Sequence, residues 1–102
     1  MRFWENRKRK SRLDYLLNLR ALRDSILDSC HTSRKQFLLE KLLDMAGGFS
    51  SIHINGGGWK RYSGHIELKN GYTIDVYQKF WRHDLLDALA IEVYRYILKT
   101  RT

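Results

Sequence analysis

The sequence predicts an α+β fold in the order ααβββα: an N-terminal helical hairpin, a three-stranded antiparallel meander and a C-terminal helix. Three observations carry that expectation. Apolar residues recur at three- and four-residue spacing up to Met45 and again after Asp84, the repeat of a helix with one face on a core. From Phe49 the repeat shortens to two, as in a half-buried strand. Glycines at 47–48, 56–58 and 71 separate these segments, and the chain has no proline.

A first helix is expected over residues 11–29, with the basic tract before it either extending the helix or fraying. Leu13, Leu16, Leu17, Ala21 and Leu27, with Tyr15, Leu19, Leu22 and Ile26, form a broad stripe, and Arg20, Arg23 and Asp24 lie off it. After Cys30 and His31, Ser33 with Gln36 matches the S-x-x-Q capping box. A second helix is therefore expected to about Met45, burying Phe37, Leu38, Leu42 and Met45 and stopped by Gly47-Gly48. So short a connection makes the pair an antiparallel hairpin.

Ile52 and Ile54 then alternate with Ser51, His53 and Asn55. Asn55-Gly56-Gly57-Gly58 reads as a turn, Trp59 to Leu68 as a second strand and Tyr72 to Lys79 as a third. The register of the second hairpin follows from its faces. A two-residue loop would set Glu67 opposite Ile74 and Leu68 opposite Thr73, mixing polar and apolar sides. A three-residue loop, Lys69-Asn70-Gly71 with Gly71 left-handed, pairs Leu68 with Tyr72, Ile66 with Ile74, Glu67 with Thr73 and His65 with Asp75. Only this loop makes one face apolar and the other polar.

Asp84 is placed to cap the last helix, whose stripe is Leu85, Leu86, Leu89, Ala90, Val93, Tyr94, Ile97 and Leu98. Lys99 and Arg101 stand at its negative end. The helices are expected on one face of the meander, with the other face open. The αβββα order from Ser33 onward is similar to that of double-stranded RNA-binding domains. The basic cluster those domains carry at the start of the final helix is replaced here by Arg82, His83 and Asp84.

Charge is the feature that speaks to function. The chain of 102 residues carries a formal +8, from 19 Lys and Arg against 11 Asp and Glu. Residues 1–12, MRFWENRKRKSR, hold six of those cations against one acid and read as a basic arm on a single domain spanning 13–102. A run this dense repels itself and suits a polyanion. Arg7, Lys8, Arg9, Lys10 and Arg12 are the candidate phosphate contacts, with an affinity expected to fall as salt rises. The other uses of such a run are a solubilising tail or, with Phe3 and Trp4 beside it, an anchor on an anionic membrane surface.

No run approaches the roughly 18 apolar residues of a membrane span, and the start lacks the apolar block of a secretory signal. One cysteine, Cys30, excludes an internal disulfide framework and a cysteine-rich zinc module. A soluble, cytoplasmic protein is expected, with Cys30 buried at a helix end as a small apolar group.

In the sheet, the odd positions of the second strand share the open face: Trp59, Arg61, Ser63, His65 and Glu67. His53 and Asn55 join them from the first strand, and Thr73, Asp75, Tyr77 and Lys79 from the third. Aromatics beside cations suit base stacking with phosphate neutralisation. The Gly56–Arg61 turn adds Lys60 beside backbone amides that glycine leaves accessible to an anion, and Lys69 adds a cation in the second hairpin. These glycines join two strands, so the turn is not a Walker loop.

Enzymatic patterns are sparse, and no cofactor motif is evident. Glu67-Leu68-Lys69 matches the E-x-K fragment of metal-dependent nucleases, yet residues 45–66 contain no Asp or Glu to supply the preceding acid. His65 with Asp75, and His53 nearby, suggest either an acid–base pair for RNA cleavage or a surface hydrogen bond. Cys30 beside His31 has no third group to orient it. The expected function is that of a small, non-enzymatic nucleic-acid-binding or nucleoprotein-associated protein. The alternative is a small inhibitor or adaptor, of the kind mobile elements use, acting on a larger complex that is acidic or processes nucleic acid. A metal-dependent nuclease comes third. Tyr94, Tyr96, Phe80 and Trp81 offer surplus aromatic surface for a protein partner or a homodimer.

Overall fold

Tyr15 donates a hydrogen bond of 2.9 Å to the carbonyl of Met45, which ties together the two arms of the helical hairpin, α1 (Phe3–Asp28) and α2 (Thr32–Met45). The computed structural model describes the backbone of residues 3–101 and the side chains of residues 13–100. Because Met45 is the last residue of α2, α1 runs on past its partner from Tyr15 back to Phe3, about 18 Å of helix at 1.5 Å per residue. The helix thus starts well before residue 11. Among its described side chains Leu19 and Ile26 are fully buried, whereas Leu13 and Leu17 are exposed.

The start of α2 differs from the capping-box expectation. Its N-cap is His31, which makes no side-chain cap bond, and the Ser29 hydroxyl bonds both the N–H and the carbonyl of His31. Gln36 instead accepts a hydrogen bond of 3.1 Å from Arg82. The buried face is also rotated. Lys35, Leu39, Leu42 and Leu43 lie inside, while Phe37 is 57% exposed with the Lys41 ammonium 5.1 Å from its ring. The cause is an ion pair: Lys35, 3% exposed, meets Asp87 at 2.8 Å. Phe37, roughly 200° around the helix from Lys35, must then face outward. Cys30, expected inside, is exposed.

Three antiparallel strands follow in the order β1 (Phe49–Gly57), β2 (Lys60–Leu68), β3 (Thr73–Lys79). The second hairpin has the three-residue loop. Leu68 N–H donates to the Tyr72 carbonyl at 2.8 Å, Gly71 N–H donates to the Leu68 carbonyl at 3.0 Å, and Gly71 has φ +90°. Ile66 faces Ile74, His65 faces Asp75 and Glu67 faces Thr73. The first hairpin departs from expectation. β1 continues through Gly57, the turn is Gly58-Trp59, and β2 starts at Lys60. Glycine makes this possible, because a Cβ on Gly56 would lie 2.6 Å from the Tyr62 Cα. The chains approach too closely there for any other residue.

The last helix, α3 (Arg82–Arg101), starts before Asp84, which stands in its first turn rather than at the cap and still opposes the helix dipole favourably. α3 lies on β2 and β3, and the α1–α2 hairpin packs against α3. The close approach depends on Gly64, where a Cβ would meet Leu89 Cδ1 at 2.9 Å. Leu85, Leu86, Leu89 and Val93 of α3 fill the core with Ile66 and Leu68 of the sheet. Tyr94, expected to add aromatic surface, is buried beneath the Arg23 guanidinium, 4.6 Å from its ring. Among the described residues no helix is long and apolar enough to cross a membrane.

Candidate nucleic-acid interface

The strands fix which candidate residues meet. β2 is nine residues long, about 27 Å from end to end. At one end are the Gly58-Trp59 turn and, through the pairing of Tyr62 with Lys79, the exit of β3. At the other end are the Lys69–Gly71 loop and the α2–β1 connection, joined by the bond from Lys69 N–H to the Gly48 carbonyl. The overhang of α1 starts beside Met45 and so belongs to this second end. The basic arm and the Trp59-Lys60-Arg61 turn therefore occupy opposite ends of the body. The side chains of Arg7, Lys8, Arg9, Lys10 and Arg12 lie outside the described residues; their backbone is part of α1.

Among the described residues, the turn end gathers aromatic and cationic surface. Trp59 is fully exposed, and Phe80 and Trp81 are 65% and 63% exposed. The Arg61 guanidinium lies over the Phe80 ring, 4.3 Å from its centroid. Trp81 stacks on His83 at 6.3 Å with the rings only 11° apart. Lys60 and Arg82 are exposed beside them. Phe80, Trp81 and Arg82 had no place in the expected binding set. A signal for them existed. A register pairing Leu68 with Tyr72 and Ile66 with Ile74 carries on to bring Phe80 beside the Lys60-Arg61 dipeptide.

On the open face between the two ends, polar side chains are bound to one another. His65 Nδ1 lies 2.5 Å from Asp75 Oδ1, and the His65 ring stacks on His53 at 6.4 Å. Asp75 also acts on Tyr77. Its negative charge, with lesser contributions from desolvation and a hydrogen bond, raises the Tyr77 phenol above its ordinary value. Tyr77 is otherwise well exposed. Lys79 leaves the open face. A bulge, with Gln78 at φ +64°, shifts the register so that Lys79 opposes Tyr62, whose ring packs toward the core. Lys69 is exposed at the far end, with its stem against Gly48. Glu67 stands on the open face between Ser51 and Thr73. Among the described residues no three His, Cys, Asp or Glu side chains converge as a metal-binding set.

Of the expected contacts, the structure therefore gathers Trp59, Lys60 and Arg61 with an unexpected aromatic set. It holds His65 and Tyr77 in a separate network around Asp75, and it places Lys69 and the arm at the other end. Comparison with protein-family models, curated proteins and solved structures finds no match to this chain.

Proposed function

We propose that the protein is a non-enzymatic nucleic-acid-binding protein that takes unpaired bases on its aromatic–cationic end and phosphates on its basic helix. One observation carries this reading: Trp59, Phe80 and Trp81 stand exposed among Lys60, Arg61 and Arg82, with a guanidinium already stacked on one ring. Exposed rings supply sequence-tolerant stacking, and adjacent guanidinium groups neutralise phosphate and stack as well. Stacking of this kind needs bases free of a duplex. Two cationic ends separated by an open face suit a strand that runs along the body rather than a ligand held in a pocket.

Anisotropy titrations with single-stranded and duplex oligonucleotides, of RNA and of DNA, at two salt concentrations test this reading. Single strands should bind more tightly, and affinity should fall steeply with salt. Removing residues 1–12 should flatten the salt dependence, and Trp81→Ala should weaken binding at both salt concentrations. An absence of binding at low salt, or binding indifferent to both changes, overturns the proposal.

A second reading, an adaptor that docks on an acidic protein, is favoured by the exposed Leu13 and Leu17 next to the basic segment of α1. A partner that remains bound after nuclease treatment and is lost on Leu13→Asp would support it over the first.

A further inference from the structure

We propose that β1 is a self-pairing edge: two copies of the chain join β1 to β1, antiparallel, about a two-fold axis through His53, and form one six-stranded sheet. The two edges of the meander are built differently. β3 carries Asp75 and Lys79 and is kinked by the bulge at Gln78, features that discourage edge-to-edge pairing. β1 has no Lys, Arg, Asp, Glu or Pro in its nine residues. Its own register shifts lie at its two ends, so the stretch between them is an edge without the usual protection, and among the described residues its only partner strand is β2.

The segment is also symmetric. Register shifts flank a regular stretch, Ser51–Asn55, at whose centre stands His53. A two-fold axis there sets Ile52 of each copy opposite Ile54 of the other, Ser51 opposite Asn55, and His53 opposite its own copy. The four isoleucines all fall on the helix side, so the faces match without a register slip. That side has room. Ile52 and Ile54 are only half buried and floor a groove of roughly 520 Å³ between β1 and α2, with Phe49, Gln36, Glu40 and Arg82 on its walls.

Charge completes the match and identifies the occupant as a second copy. Arg82, bonded to Gln36, marks the groove at the turn end, and Glu40 lies one turn further along α2 toward the other end. The two-fold operation reverses the groove, bringing Arg82 of each copy toward Glu40 of the other. An isologous interface requires such reciprocal complementarity.

The test is the solution mass of nuclease-treated, nucleic-acid-free protein by sedimentation equilibrium, so its outcome is independent of the nucleic-acid reading. The wild-type chain should reach twice the 12.2 kDa monomer mass at high micromolar concentration. His53→Lys, at an exposed position, sets like charges directly opposite and should give a monomer with an unchanged circular dichroism spectrum. Glu40→Arg and Arg82→Glu should each weaken self-association by about tenfold. An equimolar mixture of those two variants re-creates both opposite-charge pairs and should dimerise as the wild type does. A wild-type monomer overturns the proposal. So does a dimer indifferent to His53→Lys, or a mixture that associates no better than its components.

Discussion

Among the described residues, an ion pair and a histidine–carboxylate contact each join two different elements, and they lie on opposite sides of the sheet. Lys35–Asp87 joins α2 to α3 at 2.8 Å, with side chains 4% and 24% exposed. His65–Asp75 joins β2 to β3 at 2.5 Å, with side chains 41% and 36% exposed. Distance alone would rank the second above the first. Burial reverses that order, because an exposed pair trades one set of water contacts for another, whereas an ion sealed inside has nothing else to turn to. The helix side is therefore where substitutions should unfold the protein. The open face and its turn end are where they should alter binding and titration while leaving the fold in place.

The largest expected effect removes the partner of the sealed cation. Asp87→Ala leaves the Lys35 ammonium buried without a counter-charge and should cost about 3 kcal/mol in urea denaturation. Lys35→Met should cost less, since the Asp87 carboxylate it strands still reaches water. The double change Lys35→Met/Asp87→Leu should recover most of the loss. Equal losses from the two single changes would mean that burial does not set the worth of the pair.

This pair also shows where the sequence stops being legible. The loop of the β2–β3 hairpin and the register next to it are legible, because only one loop length separates Ile66 and Ile74 from His65 and Asp75; the bulge at Gln78, which takes Lys79 off the open face, is not. Local hydropathy puts Phe37 inside and Lys35 outside. The structure reverses them through a carboxylate 52 positions away, which no local repeat reveals. The turn of the first hairpin is illegible for a different reason: Gly56, Gly57 and Gly58 have no side chains with which to signal a face. For the site, composition pointed to Trp59, Lys60 and Arg61. Joining them to Phe80 and Trp81 required the register, and separating them from the basic arm required the direction of α1 along α2.

A second way to break the helix side acts on shape rather than charge. Gly64→Ala would place a methyl 2.9 Å from Leu89 Cδ1 and 3.3 Å from Leu85 Cδ1, prising α3 off the sheet. Overpacking of this kind should cost about 1–3 kcal/mol by denaturation. At the turn end, Trp59→Ala should leave the denaturation midpoint unchanged, since the ring touches nothing that holds the fold. It should weaken single-strand binding by about 1–3 kcal/mol. A loss of stability without a loss of binding would move Trp59 from the binding set to the structural one.

The smallest expected effect lies in the open-face network and is read by titration. The Asp75 charge favours the neutral phenol of Tyr77, so the pKa of that group is raised in the folded state. An acid shifted upward stabilises the fold fully below its unfolded value of about 10. That contribution is lost as the pH rises through the folded value, where tyrosinate must form beside a carboxylate. Asp75→Asn removes the charge, so the Tyr77 titration should move back toward the ordinary value. It can be isolated as the absorbance difference between each protein and its Tyr77→Phe counterpart. The Asn variant should also lose less stability between neutral and strongly alkaline pH than the wild type. At neutral pH its stability should fall by less than about 1 kcal/mol, because the bond to His65 that it alters is exposed. If the Tyr77 titration did not move, Asp75 would act on His65 alone, and the open face would hold two separate pairs instead of one network.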